Sequence, residues 1–243
     1  MTETIRLAKR ISELFNCSRS QAEQYIEGGW VAVNGVVVEL VTHRVGPNDT
    51  IELDPKALLT PSVPMTILLN KPAGLDWQGG PKDAAALLTA QNRSKTDRTG
   101  IRQLLRHTKD QVCATPLELA ATGLVVYSQD FTIKRKLITD FAFVEQEIIV
   151  DVQGQASAEQ IEQLSIFPTE KNPFAMKVSL SKQTDEITGL RFAVKGVKTG
   201  QIAERCARFG LQVVAMKRIR VGRVSLSQLE LGQWRFLMPY ERF

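Results

Sequence analysis

Two kinds of periodicity divide the chain. Over residues 5–15, Ile5, Ala8, Ile11, Leu14 and Phe15 recur at helical spacing while Arg6, Lys9, Arg10 and Glu13 fall largely off the stripe, which predicts an amphipathic helix. Asn16 or Ser18 can cap a second helix through SRSQAEQYIEGG, with Ala22, Tyr25 and Ile26 inward and Gly28–Gly29 stopping it. WVAVNGVVVEL then reads as two strands around Asn34–Gly35, the pair that most readily supplies the left-handed conformations of a tight hairpin turn. A strand over Thr50–Leu53 closes this small unit. Pro55, Pro61 and Pro64 break regular structure after it. The pattern therefore predicts a first domain over 1–55, a linker over 56–64 and a larger domain over 65–243.

In the larger domain short apolar strands alternate with helical pieces. Strands are predicted at Thr66–Leu69, Leu124–Tyr127, Phe143–Asp151, Phe174–Leu180, Gly189–Val194, Leu211–Ala215 and Gln233–Leu237. Helices are predicted within the alanine-rich part of 75–98, at Ile101–Leu105, through TIKRKLITDF and at Gln201–Phe209. This order predicts an α+β fold around a mostly antiparallel sheet. In TIKRKLITDF, Ile133 and Leu137 read as inward, with Lys134, Arg135 and Lys136 outward. In MKRIRVGRVSL, Met216, Ile219 and Val221 read as packing while the bases face outward. Trp234 reads as a packing residue before a base-stacking platform.

Composition narrows the class. Apolar and charged fractions of 43% and 23% are those of a globular chain rather than a disordered one. No apolar run approaches the length of a membrane span, and Met1–Arg6 lacks the apolar core of a secretory signal, so a cytoplasmic protein with no membrane partner is expected. Cys17, Cys113 and Cys206 are too scattered to suggest a zinc site; reduced thiols and no metal are expected. The net charge of +5 is unevenly spread: residues 191–223 hold nine Lys and Arg against Glu204 alone. Such a cluster favours a polyanionic partner, nucleic acid ahead of membrane.

Candidate chemistry centres on CATPLELAATGLVVYSQD, residues 113–130: a proline turn, a carboxylate at Glu118, a small-residue bend and an apolar strand able to anchor it. On residue type alone Glu118 is either a solvated loop glutamate or a catalytic group. Lys71, in the turn Asn70–Gly74, is either a solvated lysine or a phosphate-holding one.

The order Arg6–Leu7, Lys9, Ser18–Arg19, Ala22, Ile26, Gly29, Val31, Val33–Asn34–Gly35 and Asp49–Thr50–Ile51 resembles the alpha-L RNA-binding module shared with small-subunit ribosomal protein four. That resemblance implies an RNA-facing surface lined by Arg6, Lys9, Arg10, Arg19 and Arg44. Residues 63–241 resemble the catalytic domain of the ribosomal RNA pseudouridine synthases whose chains begin with this S4-like module. The similar segments are Ile67–Gly74; Leu117, Thr122–Leu124 and Asp130; Gln201–Ile202, Phe209–Leu211, Val213 and Met216–Gly222; and Leu231–Arg235.

The resemblance implies a reaction without metal or organic cofactor, in which the bond from ribose to uracil N1 breaks and the base rejoins through carbon five. It places Glu118 where the family has a catalytic aspartate. Pro116 stands for the arginine before it, Ala120 for a second acid, Ile148 for an active-site tyrosine and Ala203–Glu204 for a basic pair. Lys71, Lys217, Arg218 and Arg220 are expected to position phosphate. The expected protein is a monomer that binds structured RNA, ribosomal RNA or its precursor, with isomerisation weakened or lost. One alternative is an active synthase using Glu118; another is a different base-handling enzyme in which Glu118 is an acid or base.

Overall fold

The computed structural model describes residues 4–59, 61–166 and 175–243 and divides the chain into two compact units. The first contains residues 1–64 together with 102–110; the second contains 65–101 and 111–243.

In the first unit a short strand β1 (Ile5–Arg6) leads into helix α1 (Leu7–Leu14), which buries Leu7, Ala8 and Ile11. Helix α2 (Arg19–Glu27) starts on Ser18, whose hydroxyl accepts from Gln21 N at 3.2 Å while Gln21 Oε1 accepts from Ser18 N at 2.8 Å. This reciprocal cap satisfies two donors at the helix start that would otherwise lack partners. Gly29, at φ +66°, ends the helix. Strands β2 (Val31–Val33) and β3 (Val36–Val37) form the predicted hairpin, with Asn34 at φ 51° and Gly35 at φ 78°. Strand β4 (Arg44–Val45) pairs with β1, and β5 (Ile51–Leu53) pairs with β2. Asn34 links hairpin and loop by donating to Asp49 Oδ1 and accepting from Thr50 N, both at 2.9 Å.

Residues 102–110 join this unit through specific contacts. Arg102 donates to Gly29 O at 3.2 Å and its guanidinium lies 5.7 Å from the Trp30 ring centroid. Leu105 N donates to the Glu39 carboxylate, and the single-turn helix α3 (Leu105–Thr108) follows.

The second unit is built on a nine-stranded sheet among the described residues. Its strands are β6 (Thr66–Lys71), β7 (Val112–Cys113), β8 (Thr122–Ser128), β9 (Gln146–Gln153), β10 (Ala175–Gln183), β11 (Ile187–Lys195), β12 (Val213–Val221), β13 (Val224–Ser225) and β14 (Trp234–Phe236). The main order is β10-β11-β9-β12-β8-β6-β14. Among the described residues every strand pairing in this sheet is antiparallel except that of β8 with β12, which are parallel.

The apolar runs of β6 and β8 are continuous because both sheet faces are covered. Ile67, Leu69, Val125 and Tyr127 enter one cluster, while Leu68, Leu124 and Val126 enter another. Two-residue periodicity thus separates the two cores along the same strands. Trp234 is fully buried and donates to Thr89 O at 2.8 Å, in agreement with its reading as a packing residue.

Several expected elements change. The predicted helix through TIKRKLITDF is one α turn, α4 (Phe131–Lys134), followed by a wider π turn over Arg135–Thr139, and Leu137 is its buried residue. The alanine-rich helix is a 3-10 turn at Ala84–Leu87, capped by Asp83. The predicted break between Leu211–Ala215 and the following basic run is absent: β12 continues to Val221 and turns through Gly222–Arg223 into β13. Phe174 lies outside the described residues. Helix α5 (Ala158–Leu164) begins on Ser157, and α6 (Gln201–Arg208), within the predicted helix, buries Ile202 and Cys206. Among the described residues no helix is long and apolar enough to cross a membrane.

Candidate active site

The segment from Cys113 to Gly123 joins β7 to β8 and carries Glu118. Two buried cations hold it. Arg218, on β12, donates through Nε to Leu124 O at 2.7 Å, through Nη1 to Pro116 O at 3.0 Å and Gln146 Oε1 at 3.1 Å, and through Nη2 to Thr115 O at 2.5 Å and Thr115 Oγ1 at 3.2 Å. All five donors of the planar fork therefore meet protein acceptors. Burial is the main cause that pushes this guanidinium down to about 10.

Lys71 closes β6 and is 1% exposed. Its ammonium donates to Leu75 O at 2.7 Å, Pro72 O at 3.0 Å and Leu119 O at 3.5 Å. Gly74 N donates to the same Leu119 carbonyl at 2.8 Å. Burial first, then the nearby Arg218 charge, push Lys71 down to about 8. Gly123 completes the bend at φ +111°, where a Cβ would fall 2.2 Å from Arg218 O. Only glycine allows β8 to approach β12 this closely with that backbone.

These restraints leave Glu118 half-buried, with Oε1 accepting from Gly200 N at 2.6 Å. Gly200 is left-handed, at φ 90°, and immediately precedes α6. The carboxylate thus meets a backbone donor at the positive end of the helix. Positions 203 and 204 of α6, where the resemblance implies a basic pair, carry no cation: Ala203 is half-buried, and the exposed Glu204 pairs with Arg208 at 2.5 Å.

A cavity of about 280 Å³ adjoins Glu118. Leu117, Ile138, Phe141, Ile148, Ile202 and Met216 give it an apolar lining, broken by Glu118, Arg218 and Gln146. Sheet register explains the lining. Ile148 pairs with Arg218, and Val194 with Gln146, so these side chains share one face. Ile148 is 5% exposed and presents hydrocarbon where the resemblance implies an aromatic hydroxyl.

The structure brings together only part of the set read from sequence. Glu118, Lys71 and Arg218 meet at the bend. The expectation that all the bases of MKRIR face outward is corrected for Arg218, which is 3% exposed because β12 keeps strict alternation from Met216 to Arg218 before a bulge at 218–220. Lys217 is exposed. Arg220 is half-buried, donating to Glu145 Oε1 at 2.6 Å and to Gly222 O, with Glu147 3.3 Å away.

In the first unit Arg6, Lys9, Arg19 and Arg44 are exposed and Arg10 is half-buried. Arg10 lies 3.9 Å from Glu13 and Arg19 lies 3.4 Å from Glu23. Asp130 fixes a turn, accepting from Thr132 N at 2.7 Å and Ile133 N at 3.0 Å. The contact of Gly200 with Glu118 and the roles of Gln146 and Phe141 in the cavity were not anticipated. A glycine preceding a helix gives no hint of which distant side chain will reach it.

The family described as S4 domain matches residues 5–51. The dual-specificity RNA pseudouridine synthase RluF of Escherichia coli K12 is 27% identical over 241 residues, covering 98% of this chain and 77% of that protein. An uncharacterized RNA pseudouridine synthase of Aquifex aeolicus is 25% identical over 237 residues, covering 96% and 90%. A solved structure described as a pseudouridylate synthase superposes with a TM-score of 0.56 at 22% identity, covering 96% of each chain. Fold and likeness together define the class: an α+β protein with an S4 domain and a sheet of the pseudouridylate synthase kind. Over nearly its whole length the chain is similar to these RNA pseudouridine synthases, with an S4 domain at its amino-terminal side, and its sequence is divergent.

Proposed function

We propose that the chain binds structured RNA, ribosomal RNA or its precursor, while its capacity to isomerise uridine is weakened or lost. The observation that carries this reading is the engagement of Glu118 with Gly200 N at 2.6 Å, beside a cavity that offers Ile148 in place of an aromatic hydroxyl. A longer carboxylate held to a backbone donor is displaced from where a shorter aspartate would act. A misplacement of about 1 Å costs on the order of a hundredfold in an oriented reaction. The loss of the basic pair at Ala203–Glu204 removes a further group that would hold the carboxylate.

RNA retention rests on the exposed Arg6, Lys9, Arg19 and Lys217, with Arg10 and Arg220 contributing from half-buried positions. Lys71 and Arg218 support RNA indirectly by holding the bend. No cofactor or metal enters this reading, and one chain is sufficient because both units belong to it. Cytoplasmic action fits an RNA partner of this kind.

A second reading, an active synthase using Glu118, draws on the cavity itself, which is open beside a carboxylate. Native ribosomal RNAs and their precursors incubated with the protein, then mapped for pseudouridine by carbodiimide-dependent primer extension, separate the two. The proposal expects no new modified position. A site converted by the wild type and left unconverted by E118Q overturns it. Filter binding should show retention of structured RNA at low salt that weakens steeply as salt rises.

A further inference from the structure

We propose that a second groove, separate from the cavity at Glu118, holds a single-stranded nucleotide of the bound RNA, with its base on Phe143 and its phosphates on Lys136, Lys195 and Arg223. The inference rests on the RNA-binding role of the family and adds a location that the catalytic resemblance does not assign.

The groove forms where three strands end together. Gln146, the first residue of β9, pairs with Val194 near the end of β11 and with Val221 at the end of β12. One residue further out, Gly222 N donates to Glu145 O at 2.7 Å, and Lys195 ends β11. The resulting hollow, about 380 Å³, is lined by Lys136, Phe143, Glu145, Lys195, Arg220 and Arg223 among others. Arg220 is tied to Glu145 and Glu147. Among the described residues Lys136, Lys195 and Arg223 have no carboxylate within ion-pair distance, which leaves three cations to face the groove from three separate segments.

Phe143 is 75% exposed, an unusual position for a large apolar ring in the middle of a charged surface. Its neighbours show that packing does not require it there. The tight turn Phe141–Phe143 places Phe141 against the Glu118 cavity, Val144 is 5% exposed in the core, and Phe143 lies between them on the groove. The segment 136–146 thus acts as a partition: Leu137, Ile138, Phe141 and Gln146 line the cavity, while Lys136, Phe143 and Glu145 line the groove.

A flat exposed ring among unpaired cations is the combination that single-stranded nucleic acid recognises, since every base offers a face to stack and every nucleotide a phosphate. An acidic peptide would use the cations and leave the ring idle. The stated occupant is therefore RNA.

The test uses the full chain with an eight-nucleotide single-stranded RNA carrying 2-aminopurine, and in parallel structured ribosomal RNA. Wild type should bind the oligonucleotide with a change in 2-aminopurine fluorescence. F143A should lose that change and about 5- to 100-fold in affinity. A triple charge reversal, K136E, K195E and R223E, should lower the slope of log affinity against log salt by about 2 in magnitude. F143L controls for lost apolar bulk, and because Phe143 is exposed its variants should keep the wild-type melting temperature. Unchanged oligonucleotide affinity and salt slope in all variants, with structured RNA still bound, overturn the groove while leaving general RNA binding intact. So does polyglutamate that displaces the oligonucleotide equally well from wild type and F143A. A wild type that binds neither RNA overturns both readings.

Discussion

Replacing Arg218 by methionine tests whether this residue is the support of the Glu118 bend. Methionine keeps much of the length and packing while removing all five donors, so the carbonyls of Thr115, Pro116 and Leu124 lose their side-chain partner. Each stranded buried acceptor costs about 1–3 kcal/mol, or about 3–9 kcal/mol for the three. Against this stands the relief of a buried charge. The lowering of this guanidinium by burial to about 10 corresponds to roughly 3 kcal/mol of desolvation that methionine no longer bears. The difference is about 0–6 kcal/mol, and because Pro116 O is only partly buried and water can reach it, the expectation is a destabilisation of up to about 5 kcal/mol. Lysine, which has a point charge instead of a fork, should fall between wild type and methionine. Urea unfolding of the three proteins gives the magnitude, and amide exchange of Ala121, whose N–H donates to Glu118 O at 3.0 Å, reports the bend itself. A methionine variant at least as stable as wild type, with unchanged exchange at Ala121, would refute the reasoning.

Further outcomes follow from the same geometry. Gly123→Ala forces a Cβ to within 2.2 Å of Arg218 O at an already left-handed φ, and should cost at least about 3 kcal/mol or prevent folding, as read by urea midpoint and soluble yield. Lys71 is held down to about 8 in the folded chain, so between that value and its unfolded value near 10.5 the unfolded state binds the extra proton and Lys71 contributes stability that grows as pH rises. The stability of wild type relative to K71M should accordingly improve from pH 8 to pH 10.5; a flat difference across that range would contradict the buried placement. In the first unit, K9E with R19E should weaken binding to structured RNA without altering melting temperature, since both side chains are exposed, and should reduce the salt slope by about 1.4–1.8.

Much of the first unit was legible because its signals are local. Ser18 with Gln21 writes its own cap, and Asn34–Gly35 dictates a hairpin through the φ each residue tolerates. The strands of β6 and β8 were legible as apolar runs, and Trp234 as a core residue. Arg218 was misread because charge was taken to mean solvent, whereas strand alternation from Met216 carries it inward and only then does a bulge reset the pattern. The π turn at Arg135–Thr139 was missed because one extra residue per turn leaves Leu137 inward in either geometry. The grouping of 102–110 with the first unit depends on Arg102 meeting Trp30 and Gly29, contacts some seventy positions apart that no local pattern announces.

That last grouping changes what it means to cut this protein apart. The polypeptide passes between the two units three times, at 64–65, 101–102 and 110–111, so no single cut at a passage yields the two units as separate intact fragments. A fragment ending at residue 64 would also forfeit the guanidinium stacked on its tryptophan. The amino-terminal module is therefore no detachable cassette: it was made whole by a stitch borrowed from within its neighbour's sequence.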